Sequence, residues 1–129
     1  MDWITNEIAL GGIDDSRDPE GVDAVLNVAA EVPVLHHLPC LHLKIEDRRS
    51  ITRRDFSRAI RFLTERTSVG HKVLVHCYAG ASRSPSFVAA FLSKTTGIST
   101  AEALKIIQQK RWIADPDPEV WLSIQQDIG

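Results

Sequence analysis

Short apolar runs and stretches of helical spacing follow one another along this chain, the two periods that separate strands from helices. Ile8 to Leu10 is a brief apolar run closed by Gly11-Gly12. Ala24 to Val28 reads as a second strand, and Leu41, Leu43 and Ile45, alternating with His42 and Lys44, as a third. Thr52 to Asp55 has the form of a capping box, and Phe56, Ala59, Ile60 and Leu63 follow at helical spacing, so a helix is expected to end just before Gly70. Val73-Leu74-Val75, within Lys72 to His76, reads as a buried strand. Ser84-Pro85 predicts a helix start, since proline is tolerated in a first turn. Phe87 to Leu92 is apolar all round, so that helix is expected to be buried. Ser99 to Glu102 offers another capping box before Leu104, Ile106 and Ile107. Asp117-Pro118-Glu119 opens a last helix with Trp121, Ile124 and Ile128 on one face. Strands alternating with helices predict one α/β domain over residues 1–129, with a mostly parallel central sheet of about four or five strands flanked by helices.

Composition supports an ordinary globular domain: 129 residues, 43% hydrophobic and 25% charged. The net charge of −2 gives no global field for nucleic acid or an anionic membrane, so any attraction for anions must be local. Cys40 and Cys77 do not make a disulfide scaffold. No basic segment followed by an apolar stretch opens the chain, and no apolar run is long enough to span a bilayer. A reducing, cytoplasmic setting is the expectation.

The chemistry lies in His76-Cys77-Tyr78-Ala79-Gly80-Ala81-Ser82-Arg83-Ser84. A buried strand ends at His76, a tight loop with a permissive glycine follows, and a buried helix begins near Ser84. Such a loop can turn successive N–H groups inward as an anion nest, and the helix N-terminus adds orphan donors. Cys77 sits at the mouth, where a helix N-terminus and a nearby cation favour the nucleophilic thiolate. Arg83 presents a planar fork matched to two phosphoryl oxygens.

This run resembles the H-C-x-x-x-x-x-R-[ST] signature of cysteine-based phosphatases, and Gly80 to Pro85 resembles the dual-specificity branch in particular. Leu10-Gly11, Val25 to Val28, Val73 to Cys77, Ala89 to Leu92 and Ile113 to Pro116 are similar to other segments of that family, so the likeness covers most of the chain. The resemblance implies a protein tyrosine phosphatase-like fold and a phosphatase needing neither metal nor cofactor. Cys77 would be the nucleophile, and Tyr78, Ala79, Gly80, Ala81, Ser82 and Arg83 the phosphate-binding loop. Asp47 would be the general acid and base, with Glu46 its neighbouring rival. Ser84 would help the sulfur leave, although a helix N-cap is its plainer reading. His76 would support the loop and favour the thiolate, or simply be a core histidine at a strand end. Phosphorylated proteins or peptides are the expected substrates, with phosphate or vanadate as inhibitors and no nucleic acid or membrane partner.

Weaker signals surround this centre. Arg48, Arg49, Arg53 and Arg54 form either a solvated face or a basic rim. Arg111 matches a place where the family carries a basic residue near the pocket, and is expected at the substrate rim with Arg48. His36, His37 and His42 show no metal-ligand spacing. Cys40 reads as a small buried residue, with a redox bridge to Cys77 unsupported. Trp3, Trp112 and Trp121 are expected to pack. The uncharged positions Tyr78, Ala79, Ala81 and Ser82 disfavour a highly charged inositol headgroup. Three alternatives remain: a phosphoprotein-binding module, a phosphatase for a non-protein phosphate ester, and a sulfur-transfer or arsenate-reducing enzyme.

Overall fold

The structure, a computed structural model, describes residues 1–128. Five strands form one sheet: β1 (Asp2–Trp3), β2 (Ile8–Gly11), β3 (Ala24–Asn27), β4 (Cys40–His42) and β5 (Val73–His76). Their spatial order is β1-β2-β5-β3-β4. Neighbours run parallel except β1, which pairs antiparallel with β2. Helices α1 (Ile13–Arg17), α2 (Arg53–Ser68), α3 (Arg83–Thr96), α4 (Thr100–Lys110) and α5 (Pro118–Ile128) complete a single α/β unit, as the alternating pattern predicts.

Period two divides the strands between two faces. Ile8, Leu10, Ala24, Leu26, Val73 and Val75 join the main core. Ala9, Val25 and Leu74 meet a smaller cluster closed by Val22, Leu38 and Cys40. Both faces are covered, which is why these strands read as continuous apolar runs. Helices α2 to α5 contribute their buried residues to the main core, where the rings of Phe56 and Phe87 stack 6.5 Å apart. Truncating the fully buried Phe87 to alanine should cost about 3–5 kcal/mol.

The caps explain the helix limits. Thr52 Oγ1 accepts from the Asp55 N–H at 3.2 Å, and Ser99 Oγ from that of Glu102 at 3.1 Å. Asp117 Oδ2 accepts from the Glu119 N–H at 3.0 Å. The expected core position of Ile128's side chain lies outside the described residues.

Four features differ from expectation. The third strand stops at His42. Leu43 N–H still reaches Asn27 O, but Ile45 N–H turns back to Leu43 O at 2.9 Å. The alternation through Ile45 thus reports burial of Leu43 and Ile45 in a loop, not extension. Strand β1 and helix α1 are too short to leave a periodic signal. Trp112 is 86% exposed and does not pack, because it sits in the connection between α4 and α5. Trp121 does pack, half-buried against the core.

Candidate active site

Gly11, Asn27 and His76 stand in register at the carboxyl ends of β2, β3 and β5, the edge of a parallel sheet where ligands gather. Residues 77–82 leave that edge and turn into α3. The loop is braced from behind. Tyr78 O accepts from Ile13 N–H at 2.7 Å, and Ala81 O from Asp115 N–H at 2.7 Å. Arg111 donates from Nη2 to Ala79 O and from Nε to Gly80 O, both at 2.9 Å. A trans peptide points its N–H opposite to its carbonyl. Four carbonyls, 78 to 81, held from behind therefore turn the N–H groups of residues 79 to 82 away from those partners, the orientation that an anion nest needs. Gly80 adopts φ of +70°, and a Cβ there would lie 2.5 Å from both Gly11 O and Arg111 Nη2. Only glycine suits that position.

Cys77 is 3% exposed, and its Sγ lies 3.2 Å from Ser84 Oγ. Helix α3 begins at Arg83 with Ser82 in the N-cap position, so Ser84 falls inside the first turn. The N-cap reading of Ser84 is therefore corrected: its hydroxyl meets the sulfur. His76 is buried and donates from Nδ1 to Cys77 O at 3.1 Å. Burial depresses its pKa more than that bond raises it, so the ring is neutral near pH 7. It orients the peptide at Cys77 and brings no full positive charge.

Arg83 is 2% exposed, and its guanidinium is held at one end. Nη1 donates to Glu31 Oε1 at 2.7 Å and to Ile45 O at 2.8 Å, and Nη2 donates to Glu31 Oε2. Of five guanidinium donors, these contacts leave Nε–H and one Nη2–H, which share an edge. Nε is buried, has no hydrogen-bond partner among the described residues, and lies 3.7 Å from Asp47 Oδ1. Burial works against the charge of Arg83, yet hydrogen bonding to Glu31, with Cys77 and Asp47 nearby, outweighs it and raises the guanidinium pKa. In turn Arg83 holds the Glu31 carboxyl below the usual range.

Glu31 is the residue that sequence reasoning missed. The buried Asn27 organises its loop, donating from Nδ2 to Val32 O at 2.8 Å and accepting from Ala29 N–H at 3.0 Å. Glu31, Asp47, Cys77 and Arg83, with loop residues Tyr78, Ala79, Ala81 and Ser82, line one cavity of about 150 Å³. A larger cavity, about 520 Å³, opens around Arg53, Phe56 and Asp127 but is lined by no cysteine.

The other expectations sort clearly. Asp47 faces the cavity, whereas Glu46 pairs with Arg49 Nε at 3.5 Å and does not line it. Arg48 is exposed beside Asp47 and holds φ of +60°, and its N–H bonds Asp47 Oδ1 at 3.0 Å. Arg111 braces the loop, and its Nη1 is also taken by Asp2 Oδ2 at 2.8 Å; it lines a neighbouring cavity that shares Tyr78 and Ala79 with the one at Cys77. Cys40 packs with Val25 and Leu74 on one face of the sheet, and Cys77 belongs to the core on the other, so no bridge joins these free thiols. Burial raises the Cys40 thiol pKa. His36 Nδ1 accepts from Leu38 N–H at 3.1 Å, and His42 Nε2 bonds Ala29 O at 2.8 Å. Among the described residues no group of three or more potential ligands is placed to hold a metal ion, and no helix is long and apolar enough to cross a membrane.

Known proteins are similar to this chain in sequence and in fold. The family model "Dual specificity phosphatase, catalytic domain" matches residues 8–126. Dual specificity protein phosphatase 15 of Mus musculus is 29% identical over 125 residues, covering 92% of this chain and 53% of that protein. Dual specificity protein phosphatase 1 of Homo sapiens is 32% identical over 106 residues, covering 80% of this chain and 29% of that protein. The chain thus spans about half the length, or less, of these curated relatives. Among solved structures, human DUSP28 superposes with a TM-score of 0.91 at 20% identity, over 99% of this chain and 95% of that one. PTPMT1 in complex with PI(5)P gives 0.81 at 23% identity, over 97% and 92%. At such identities the solved structures speak for the fold, while the matched family model and the curated relatives carry the assignment: this chain belongs to the dual specificity phosphatase catalytic domain family, among the cysteine-based phosphatases that need no metal.

Proposed function

We propose that this protein hydrolyses phosphate monoesters on proteins, phosphotyrosine foremost and phosphoserine or phosphothreonine more slowly, through a phospho-cysteine intermediate. The observation that carries the reading is the single cavity shared by Cys77, the free edge of Arg83 and Asp47. In the first step the Cys77 thiolate attacks phosphorus and an S–P bond forms. The P–O bond to the substrate breaks as Asp47 gives its proton to the leaving oxygen. In the second step water attacks phosphorus, Asp47 takes the proton, and the S–P bond breaks to release phosphate and the thiolate. Ser84 Oγ, 3.2 Å from Sγ, stabilises the departing sulfur. The inward amides and the Nε–Nη2 edge of Arg83 hold the equatorial oxygens. Phosphoryl transfer asks mainly for such positioning and charge stabilisation.

The small lining side chains Ala79, Ala81 and Ser82 support acceptance of more than one phospho-residue. A non-protein phosphate ester is the second reading, since PTPMT1 was solved with PI(5)P. The uncharged loop side chains and the carboxylates of Glu31 and Asp47 at the cavity weigh against a polyanionic headgroup. We place the enzyme in a reducing, cytoplasmic setting, which would keep a nucleophilic thiol reduced. The test is a panel of phosphopeptides and phosphoinositides assayed beside Cys77→Ser. Turnover of phosphopeptides by the wild type alone, inhibited by vanadate, is expected. Turnover retained in Cys77→Ser would overturn the covalent route.

A further inference from the structure

Residues 48–66 hold seven arginines against two carboxylates, Asp55 and Glu65, in a chain whose net charge is −2. Six of the seven, from Arg48 to Arg61, are exposed. Positions 53, 56, 57, 60 and 61 of α2 recur at helical spacing, so they form one wall of the cavity of about 520 Å³. Lys94, near the end of α3, and Asp127, near the end of α5, line its other sides. The floor is apolar, with Phe56 buried and Ile60 half-buried. Ser57 is exposed one helical turn from both Arg53 and Arg61, and its small side chain leaves the middle open. The rim is mostly cationic. Lys94 is exposed and makes no ion pair or hydrogen bond among the described residues. Arg61 Nε meets Glu65 at 2.9 Å with both side chains exposed, a pairing that an incoming carboxylate can exchange at little cost. Arg53 Nε lies 3.7 Å from Asp127 Oδ1. Acid is therefore favoured at Lys94 and Arg61 and disfavoured beside Asp127. Lys94 lies about three turns beyond Arg83 on α3, roughly 16 Å along the axis, so this groove is separate from the catalytic cavity.

We infer that the groove between α2, α3 and α5 docks an acidic segment of a partner protein, with an apolar side chain seated on Ile60 and carboxylates on Lys94 and Arg61. A protein segment fits better than other polyanions. Among the described residues, no exposed aromatic ring lines the groove for base stacking, and no exposed large apolar side chain stands on its rim to enter a membrane. A concave apolar floor with a charged rim suits a peptide anchor. The test selects a displayed library of short random peptides on the full chain and measures the winners, fluorescently labelled, by anisotropy. Enriched sequences should carry an apolar residue close to two or more Asp or Glu, and salt should weaken their binding. Lys94→Glu and Arg61→Glu should each weaken it roughly fivefold, the upper size of one exposed charge pair. Ser57→Trp, which fills the groove without changing its charge, should abolish binding. Arg58→Glu, outside the lining, should cost less than either charge reversal at the rim. Melting temperatures show which variants are folded, and the two rim variants replace only exposed side chains. No enrichment, winners without acidic residues, or equal losses at Arg58, Arg61 and Lys94 with Ser57→Trp unaffected would overturn the docking site. Tighter binding to phosphatidylserine vesicles or single-stranded RNA, lost in the same variants, would also overturn it, as would a dimer of this chain dispersed by Lys94→Glu.

Discussion

The carboxylate of Glu31 grips the far end of the buried Arg83 guanidinium, leaving the Nε edge turned toward Asp47 and the cavity of Cys77. Glu31 therefore acts as a positioning residue for the clamp and does not occupy the edge that substrate would use. Glu31→Ala should lower kcat/KM on an aryl phosphate at least tenfold and weaken vanadate inhibition in parallel. Stability should fall by about 1–3 kcal/mol, the penalty for stripping a partner from a buried donor. Unchanged vanadate inhibition would show that Arg83 needs no such support.

Ser84 bears on the second chemical step. A hydrogen bond to a charged group is worth about 1.5–3 kcal/mol, or roughly ten- to a hundredfold in rate. Ser84→Ala should slow breakdown of the phospho-cysteine by that factor and produce a burst of phenol release before the steady state. Rapid-quench kinetics with no burst and an unaltered kcat would remove Ser84 from the step.

Asp47 should matter in proportion to how badly the leaving group needs a proton. Asp47→Asn should reduce kcat by about 10²–10⁴-fold for phosphotyrosine peptides and far less for an activated aryl phosphate. Equal losses across a series of leaving groups would point to a positioning role instead.

Stability should decline in acid in two stages. Burial depresses the His76 pKa from 6.5. The folded protein then binds fewer protons than the unfolded chain, and the contribution is complete above about pH 6.5 and lost as pH falls from there toward the folded value. His36, depressed first by burial and then by His37, adds in the same direction. Glu31, held low by Arg83, gives stability present above its ordinary 4.5 and lost below it. Denaturant titrations from pH 8 to pH 4 should show this fall, and His76→Asn should flatten its upper part. An unchanged slope between pH 7 and pH 5 would mean that His76 does not titrate with unfolding.

Much of the fold and the centre of the site were legible because they sit on long, periodic or punctuated segments. Val73 to His76 reads as a buried strand, Phe87 to Leu92 as a buried helix, and the loop between them carries its glycine and arginine at fixed positions. Glu31 was not legible: it is an acidic residue in a non-repeating loop, and its partner lies 52 residues away. The one available hint was Asn27, a polar residue ending an apolar strand, whose burial signals a loop that must be organised. Arg111 was read by its charge, but its role comes from carbonyls that only folding brings near. Trp112 was read by its hydrophobicity, although a connection outside any helix face gives a large ring nothing to pack on.

The brace from Asp2 through Arg111 to the loop joins residues 109 positions apart. During translation, a nascent chain that has emerged only as far as α3 possesses Cys77, Arg83 and the Ile13 brace but not Arg111 and Asp115, which hold the carbonyls of Ala79, Gly80 and Ala81. On the phosphatase reading, competence for chemistry should then arrive late, when the last two helices pack on α3, so incompletely synthesised molecules would be silent toward phosphorylated neighbours.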